Sequence, residues 1–532
     1  MKLIAVIAGV CAGATVLAGC GGSSGAGKGD NGAGGKVVSG GTFTFAMNSD
    51  PGNLDPQASA ASNLFQITKF AYDSLVNVAD GGKIVSGLAK SWQVDGTKLV
   101  LTLHPGITCS DGSQFTATDA AANLNYIADA KNKSPFLGVF VPAGAKATAD
   151  DTAGTVTLTT PKLAPFLLDG LGNTPMVCAK GMQDRKSLAR QTDGTGPFQL
   201  SEAVSGDHYT YTKRAGYSWG PDGAGTATKG VPDKVIVKIV PNATTAANLL
   251  LTGAINAATI VGSDQSRMEQ AKLFATDSAA PYGEMWFNEA AGRPGADHAV
   301  REAMVRALDL GELAKVLTAG TGTPGTTFAA SAPVGCPGNS VADALPQHDM
   351  DKAKQLLDGA GWKAGSDGTR SKDGKPLALT FMYNTELGEG GSAAAELAVK
   401  QWQQLGIKIT TKPRNETAAV DAMFSTGDWD VAWESLAVST PDQIVPFMSG
   451  PAAPNGTNIG HISNAAYEAG VAKASAIPGT EGCPEWLKAE ANLVSNSDVI
   501  PFANQVIKTY GKGARFDFIG DLVPTSIRML AG

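Results

Sequence analysis

Residues 377–411 read LALTFMYNTELGEGGSAAAELAVKQWQQLGIKITT. The apolar run 377–383 predicts a strand, 392–404 a helix and 407–411 a second strand, with another strand at 430–436. The surrounding chain repeats that alternation. Helices are expected over about 298–318, 350–358 (closed by Gly359 and Gly361), 464–476 and 483–495, and a strand over 499–508. Strands alternating with helices imply an α/β fold rather than an all-β sandwich. Towards the N-terminus, Gly41–Met47 alternates as a strand does and breaks into a loop at Asp50–Pro56. Leu64, Ile67, Ala71, Leu75 and Val78 recur at helical spacing, predicting an amphipathic helix over 62–79. A strand at 97–103 and a capping box at Thr116–Asp119, opening a helix through Ile127, come next. Beyond them lie a strand at 155–160, a hairpin turning at Ser205–Asp207, a strand at 235–239 and a helix near 243–252. No internal repeat is visible.

Lys2 precedes an apolar or small-residue segment, Leu3–Leu17, that leads to Leu17-Ala18-Gly19-Cys20. This is the layout of an export signal ending in a lipobox. The segment is short for a bilayer span and lacks a positive stop-transfer flank. A signal peptide over 1–19 is therefore expected, with Cys20 as the lipid attachment site and 20–40 as a flexible Gly/Ser linker. The protein would then work outside the cytoplasmic membrane, on its outer face.

The chain has 532 residues, too many for one hydrophobic core. Its 43% hydrophobic and 17% charged content is that of a globular protein. A formal net charge of −7, without a basic cluster, argues against a nucleic-acid partner. Beyond the signal no apolar run could span a bilayer, so the chain is not itself a channel. Of six cysteines, Cys11 and Cys20 belong to the signal region, leaving Cys109, Cys178, Cys336 and Cys483. In an oxidising compartment an even number suggests two disulfides, with three connectivities open. No C-x-x-C occurs.

Several motifs fit a catalytic pattern only in letters. Gly21–Gly25 matches G-x-S-x-G but lies in the linker, and Gly320–Gly325 matches G-x-G-x-x-G but follows a helix instead of a strand. No P-loop is present. The five histidines are scattered without metal-ligand spacing, so neither an enzyme nor a metal or cofactor site is expected. The aromatic residues carry more information. Trp429 and Trp433 flank a strand with Glu434 beside them, and Trp286-Phe287-Asn288 follows Pro281-Tyr282. Aromatics beside a few polar groups suit a ligand cleft, although any single tryptophan can equally be core.

The order of several short motifs resembles one family from about Gly41 to the C-terminus. These are Gly41–Phe45 with Asp50-Pro51 and Leu54-Asp55-Pro56, Gly87–Trp92, Leu99–Gly106 with Ser110-Asp111-Gly112, and Phe115–Ala120. The most specific is Gly194-Thr195-Gly196-Pro197-Phe198. Val300-Arg301-Glu302-Ala303 with Ala307–Asp309, Asp351–Gly361 and Gly406–Ile409 complete the series. The chain thereby resembles the extracytoplasmic solute-binding proteins of ABC importers, family 5, the oligopeptide, dipeptide and nickel type.

The resemblance implies a two-lobed α/β Venus-flytrap fold with an extra subdomain in the first lobe. Lobe I would comprise 41–282 plus 498–532 and lobe II 283–497, with crossings near Pro281–Asn288 and Ser497–Ala503. Disulfides Cys109–Cys178 and Cys336–Cys483 would then each stay within a lobe and leave closure free. The expected ligand contacts are Asn48, Asp50, Trp286, Asn288, Tyr383, Trp433 and Glu434. The expected partners are a small solute, most simply a short peptide, and separate permease and ATPase subunits, with the chain itself a monomer. Peptide-binding members place an aspartate three residues after a strand tryptophan, to pair with the peptide amine. Here that position is Leu436. Either Glu434 or Asp442 substitutes, or the ligand is another polar solute such as an oligosaccharide, a nickel chelate or an opine-like compound. A sensory binding protein would share the fold.

Overall fold

The computed structural model describes residues 35–59 and 62–531. The expected signal peptide, 1–19, and the expected lipid attachment site, Cys20, lie outside them. Among the described residues one eleven-stranded sheet runs through two lobes. From the edge of the second lobe its order is Lys408–Arg414, Ala378–Asn384, Val431–Trp433, Phe274–Phe287, Val499–Gly511, Ala257–Ile260, Thr42–Met47, Lys234–Ile239, His208–Lys213 and Phe198–Val204. The short strand Thr323–Pro324 pairs beside Val499–Gly511.

Phe274–Phe287 and Val499–Gly511 hold the two halves together. They are 14 and 13 residues long, against a usual strand of about five or six, and pair antiparallel from Phe274↔Gly511 to Trp286↔Val499. Their register shifts on both sides of Gly283, between Pro281 and Glu284. A β-carbon on Gly283 would lie 2.7 Å from the Phe502 ring, so only glycine lets the two strands approach there.

Each lobe has its own core. One apolar cluster gathers residues between Met285 and Ala503, including Trp286, Phe381, Trp402, Trp429 and Trp433. Another gathers Phe43, Phe45, Phe70, Tyr211 and Val235 with Phe516 and Ile527 from the C-terminal segment. A third belongs to the inserted subdomain, where helix Ala117–Ala128 covers an antiparallel sheet of Ala89–Asp95, Lys98–Leu103, Thr155–Thr159 and Lys146–Asp150. That helix opens with the expected capping box, Thr116 and Asp119 satisfying each other's backbone N–H.

The Gly194–Phe198 motif is the joint between subdomain and lobe. β-Carbons on Gly194 and Gly196 would each fall 2.4 Å from Ala71 backbone atoms, and the Gly196 N–H bonds the Ala71 carbonyl at 2.9 Å. Thr195 donates to half-buried Asp73 at 2.9 Å, which also accepts from Tyr217 and Trp219. The disulfides Cys109–Cys178 and Cys336–Cys483 both form.

Three local expectations change. The helix expected over 62–79 is Ser62–Thr68; the chain then turns, and Val76–Val78 pairs with Ile84–Ser86 across a turn at Gly81 and Gly82. The helix expected over 298–318 is two, His298–Arg306 and Leu310–Leu317, because Asp309 leaves helical geometry to cap the second. The last residues of the expected linker are paired instead: Val37 bridges to Leu530 and the Val38 N–H reaches the Met529 carbonyl at 3.0 Å. No helix among the described residues is long and apolar enough to cross a membrane.

Candidate functional site

Strand direction locates the site. In the first lobe Thr42–Met47 runs parallel to Lys234–Ile239 and Ala257–Ile260. Ala257 opposes Gly511 and Ile260 opposes Lys508, so these strands end pointing towards the second lobe. In the second lobe Ala378–Asn384 runs parallel to Lys408–Arg414 and Val431–Trp433. Val431 opposes Phe287 and Trp433 opposes Met285, so these strands end pointing towards the first. Two carboxyl edges therefore face each other across the middle of the long strands. In open α/β sheets, ligands bind outside the carboxyl ends of the strands.

On the second lobe's edge, a polar row crosses three strands. The Asn384 amide lies 3.3 and 3.4 Å from the two carboxylate oxygens of Glu434. Glu434 donates its N–H to the Glu284 carbonyl at 3.2 Å and accepts the Trp286 indole N–H on its own carbonyl at 2.8 Å. Glu284 is only 1% exposed. One of its carboxylate oxygens accepts the Leu436 N–H at 3.0 Å, whereas Oε1 has no hydrogen-bond partner among the described residues. Burial pushes its carboxyl up to about 8, and the nearby carboxylates of Glu434 and Glu490 push the same way, against the Leu436 N–H and the neighbouring Trp286 indole N–H, which lower it. Tyr282 stands one strand step away, half-buried, donating to the Leu387 carbonyl at 3.2 Å.

Behind this row the aromatics pack on one another. Phe381 meets Trp433 at 5.0 Å, Tyr383 at 5.9 Å and Trp402 at 5.1 Å, and Trp433 meets Phe502 at 5.1 Å between ring centroids. Trp286 and Trp433 are fully buried. Of the residues expected at the ligand, the structure thus brings Trp286, Tyr383, Trp433 and Glu434 together, the tryptophans as a floor.

Asn288 sits at the opposite end of strand Val431–Trp433. Its backbone N–H bonds Asp430 at 2.9 Å and its side chain bonds the Trp429 carbonyl at 3.1 Å. Asp50 stands on the first lobe's carboxyl edge, where it clasps the hairpin turn. It accepts from Tyr209 at 2.6 Å, Ser205 at 3.0 Å and the Gly52 N–H at 2.7 Å, and also from the Gly206 N–H. Partial burial raises this carboxyl, but those four donors outweigh it and hold it below the usual carboxylate range. Asn48 is exposed beside it and accepts from Ser49. Sequence reasoning missed Glu284, although a lone acidic residue in the expected first crossing was the available signal.

The lobes also meet to one side. A cavity of about 410 Å³ is walled by Asn77, Asn173 and Asp521 from the first lobe and by Ala332, Pro333 and Ser439 from the second. It shares no residue with the polar row. Ser439 follows Leu436 by three positions, and the Ala332 N–H bonds the Ala279 carbonyl of the first long strand at 3.3 Å, so the cavity also lies between the lobes, beside that strand. Nearby, Phe166 of the subdomain packs on Trp486, and the Gly479 N–H bonds the Pro165 carbonyl at 2.9 Å. No group of three or more His, Cys, Asp or Glu among the described residues is placed to hold a metal ion.

Two lobes, paired long strands between them and an interlobe gap floored by strand ends define a class: the two-lobed periplasmic binding proteins. The family model for bacterial extracellular solute-binding proteins, family 5, matches residues 83–455, and the chain belongs to that family. It is 25% identical over 440 residues to a glutathione-binding protein of Pectobacterium atrosepticum, spanning 77% of this chain and 80% of that protein. It is 26% identical over 393 residues to the nickel-binding periplasmic protein of Escherichia coli, spanning 71% of this chain and 72% of that one. A substrate-binding protein from Microbacterium hydrocarbonoxydans, solved with 4-hydroxybenzoate hydrazide, superposes with a TM-score of 0.73 at 26% identity, covering 92% of this chain and 99% of the other. The chain is accordingly a family-5 substrate-binding protein of the ABC-importer type, and that family is one of solute binders.

Proposed function

We propose that the chain captures short peptides between its lobes and presents the closed form to a membrane permease and its ATPase, while a lipid on Cys20 holds it, as a monomer, to the outer face of the cytoplasmic membrane. The observation carrying this reading is the polar row Asn384–Glu434–Glu284, set on the carboxyl edge of one lobe and facing the other. A ligand touching both edges favours closure by its differential affinity for the closed state. The hinge would lie where the long strands change register, at Pro281–Glu284, with lobe boundaries near 41–282 plus 498–532 and 283–497. Leu436, standing where peptide-binding members have an aspartate, favours a second reading in which a non-peptide polar solute occupies the same cleft.

Thermal unfolding of the full chain separates the two. Dipeptides, tripeptides, longer peptides, oligosaccharides and nickel chelates would be compared. A ligand at 100 times its dissociation constant adds about 2.7 kcal/mol of stability. Stabilisation by peptides supports the first reading. Stabilisation by a sugar or chelate with none from peptides replaces it with the second.

A further inference from the structure

We propose that the inserted subdomain clasps lobe II through Phe166, and that this contact, which involves neither long strand, favours the closed form of the protein. The inference rests on closure of two lobes about the crossing strands and is independent of what the ligand is. Phe166 immediately precedes helix Leu167–Gly172 of the subdomain, yet its ring lies outside the subdomain's own core. It is 3% exposed within a small apolar cluster whose other buried members, Cys336, Ala474, Cys483 and Trp486, all come from lobe II. Its ring lies 6.2 Å from that of Trp486 between centroids. Beside it the Pro165 carbonyl accepts the Gly479 N–H at 2.9 Å. The subdomain meets lobe II again at its turn, where a β-carbon on Gly82 would lie 2.9 Å from the Val334 carbonyl. The Cys336–Cys483 disulfide ties the segment carrying Val334 to the helix carrying Trp486, so both contact points on lobe II are held together.

The subdomain is fastened to lobe I by the Gly194–Phe198 joint, whereas its contacts with lobe II are non-covalent. Movement of the lobes about Pro281–Glu284 therefore parts the clasp, exposing the Phe166 ring and breaking the Gly479–Pro165 hydrogen bond. Burial of one phenylalanine side chain shifts a closed-to-open ratio by at least about tenfold. A ligand that needs the closed form is bound in proportion to that form's population, so the clasp raises the affinity of every such ligand by the same factor.

The test uses the full chain without ligand, so its outcome is separate from that of the thermal screen of peptides and other solutes. Amide hydrogen exchange at Gly479 reads the clasp, and small-angle X-ray scattering reads the separation of the lobes. Phe166→Ala should speed exchange at Gly479 at least about tenfold and enlarge the radius of gyration. Amides of the subdomain strand Lys98–Leu103 and the lobe II strand Ala378–Asn384 should exchange as in wild type. Phe166→Leu, which keeps an apolar side chain, should show a smaller change of both kinds. Unchanged exchange and radius in Phe166→Ala overturn the inference, as does a wild type whose Gly479 amide already exchanges freely. Faster exchange at an unchanged radius also overturns it, making Phe166 a local packing residue. If the control strands lose protection in Phe166→Ala, the comparison of wild type with Phe166→Leu decides by the same two readings.

Discussion

Glu490 offers a test of the second lobe's electrostatics that needs no ligand. It lies on helix Cys483–Ser495, 2% exposed, and accepts the Ser340 hydroxyl at 2.7 Å. Burial, with hydrogen bonds from Ser340 and the Phe328 backbone opposing it, pushes its carboxyl up to about 7 from an ordinary 4.5. Because the folded value is the higher one, the folded state binds the proton more tightly. Stability from this group is complete below about pH 4.5 and is lost as pH rises towards 7. Every tenfold difference in proton affinity between the folded and unfolded chain corresponds to about 1.4 kcal/mol, so the loss amounts to about 3 kcal/mol at pH 8 and about 1 kcal/mol at pH 5. Glu490→Gln keeps an acceptor for Ser340 and removes the titration. It should therefore stabilise the protein by about 2 kcal/mol more at pH 8 than at pH 5, whatever the amide's packing costs at both. For lobes of this size that difference is about 4–8 °C in unfolding temperature. Scanning calorimetry of wild type and variant at the two pH values reads it directly. An equal effect at both, or a larger one at pH 5, would refute the claim that a buried, protonated carboxyl sits there.

Three further perturbations address the frame and the site. Gly283→Ala places a methyl 2.7 Å from the Phe502 ring and should cost about 1–3 kcal/mol by overpacking, with a reduced ligand-induced fluorescence change because the strain falls at the crossing; normal stability and closure would show the strands to be looser. Arg301 is 3% exposed and bonds Asp498 at 2.9 Å and Glu289 at 3.1 Å, so Arg301→Met should cost about 3–5 kcal/mol in urea unfolding by stranding the fully buried Asp498 beside the partly buried Glu289; a loss below about 1 kcal/mol would mean that Asp498 takes up a proton freely. Trp433→Ala should lower the unfolding temperature as well as ligand affinity, because the indole packs between Phe381 and Phe502; loss of affinity at unchanged stability would make Trp433 a cleft residue rather than its floor.

Much of the second lobe was legible in the sequence because those elements carry their own punctuation, although the helix expected over 298–318 is two and the helices Glu416–Asp421 and Pro441–Met448 were not foreseen. The apolar run at 377–383 lies within one residue of the strand Ala378–Asn384, and the helix expected over 483–495 is Cys483–Ser495. Helix 392–404 begins earlier, at Gly388, since glycines hid its first turn. The strand Phe274–Phe287 was the main omission. It contains Pro281 and Gly283 and alternates poorly, both signals against a strand. Those residues are tolerated because the register slips there, and the slip is possible because Val499–Gly511 supplies the partner from more than 200 residues away.

The candidate site was half legible for the same reason. Trp433 and Glu434 could be picked out by local composition, whereas Glu284 acquires its meaning only from pairing. It becomes the neighbour of Glu434 through a contact between Met285 and Trp433, 148 positions apart, and its carboxylate is met there by the Leu436 N–H. Asn288 shows the converse. Its aromatic neighbours suggested a cleft, yet register puts it at the amino end of Val431–Trp433, where its amide serves the Trp429 carbonyl. Trp286 lies within the strand Phe274–Phe287, whereas Asn288 falls just beyond its end, farther from the crossing. Position along the crossing strand therefore decides which side chains a ligand could meet. By that criterion Tyr282 and Glu284, on the lobe I side of Trp286, are better placed than the tryptophan to report on what the cleft holds.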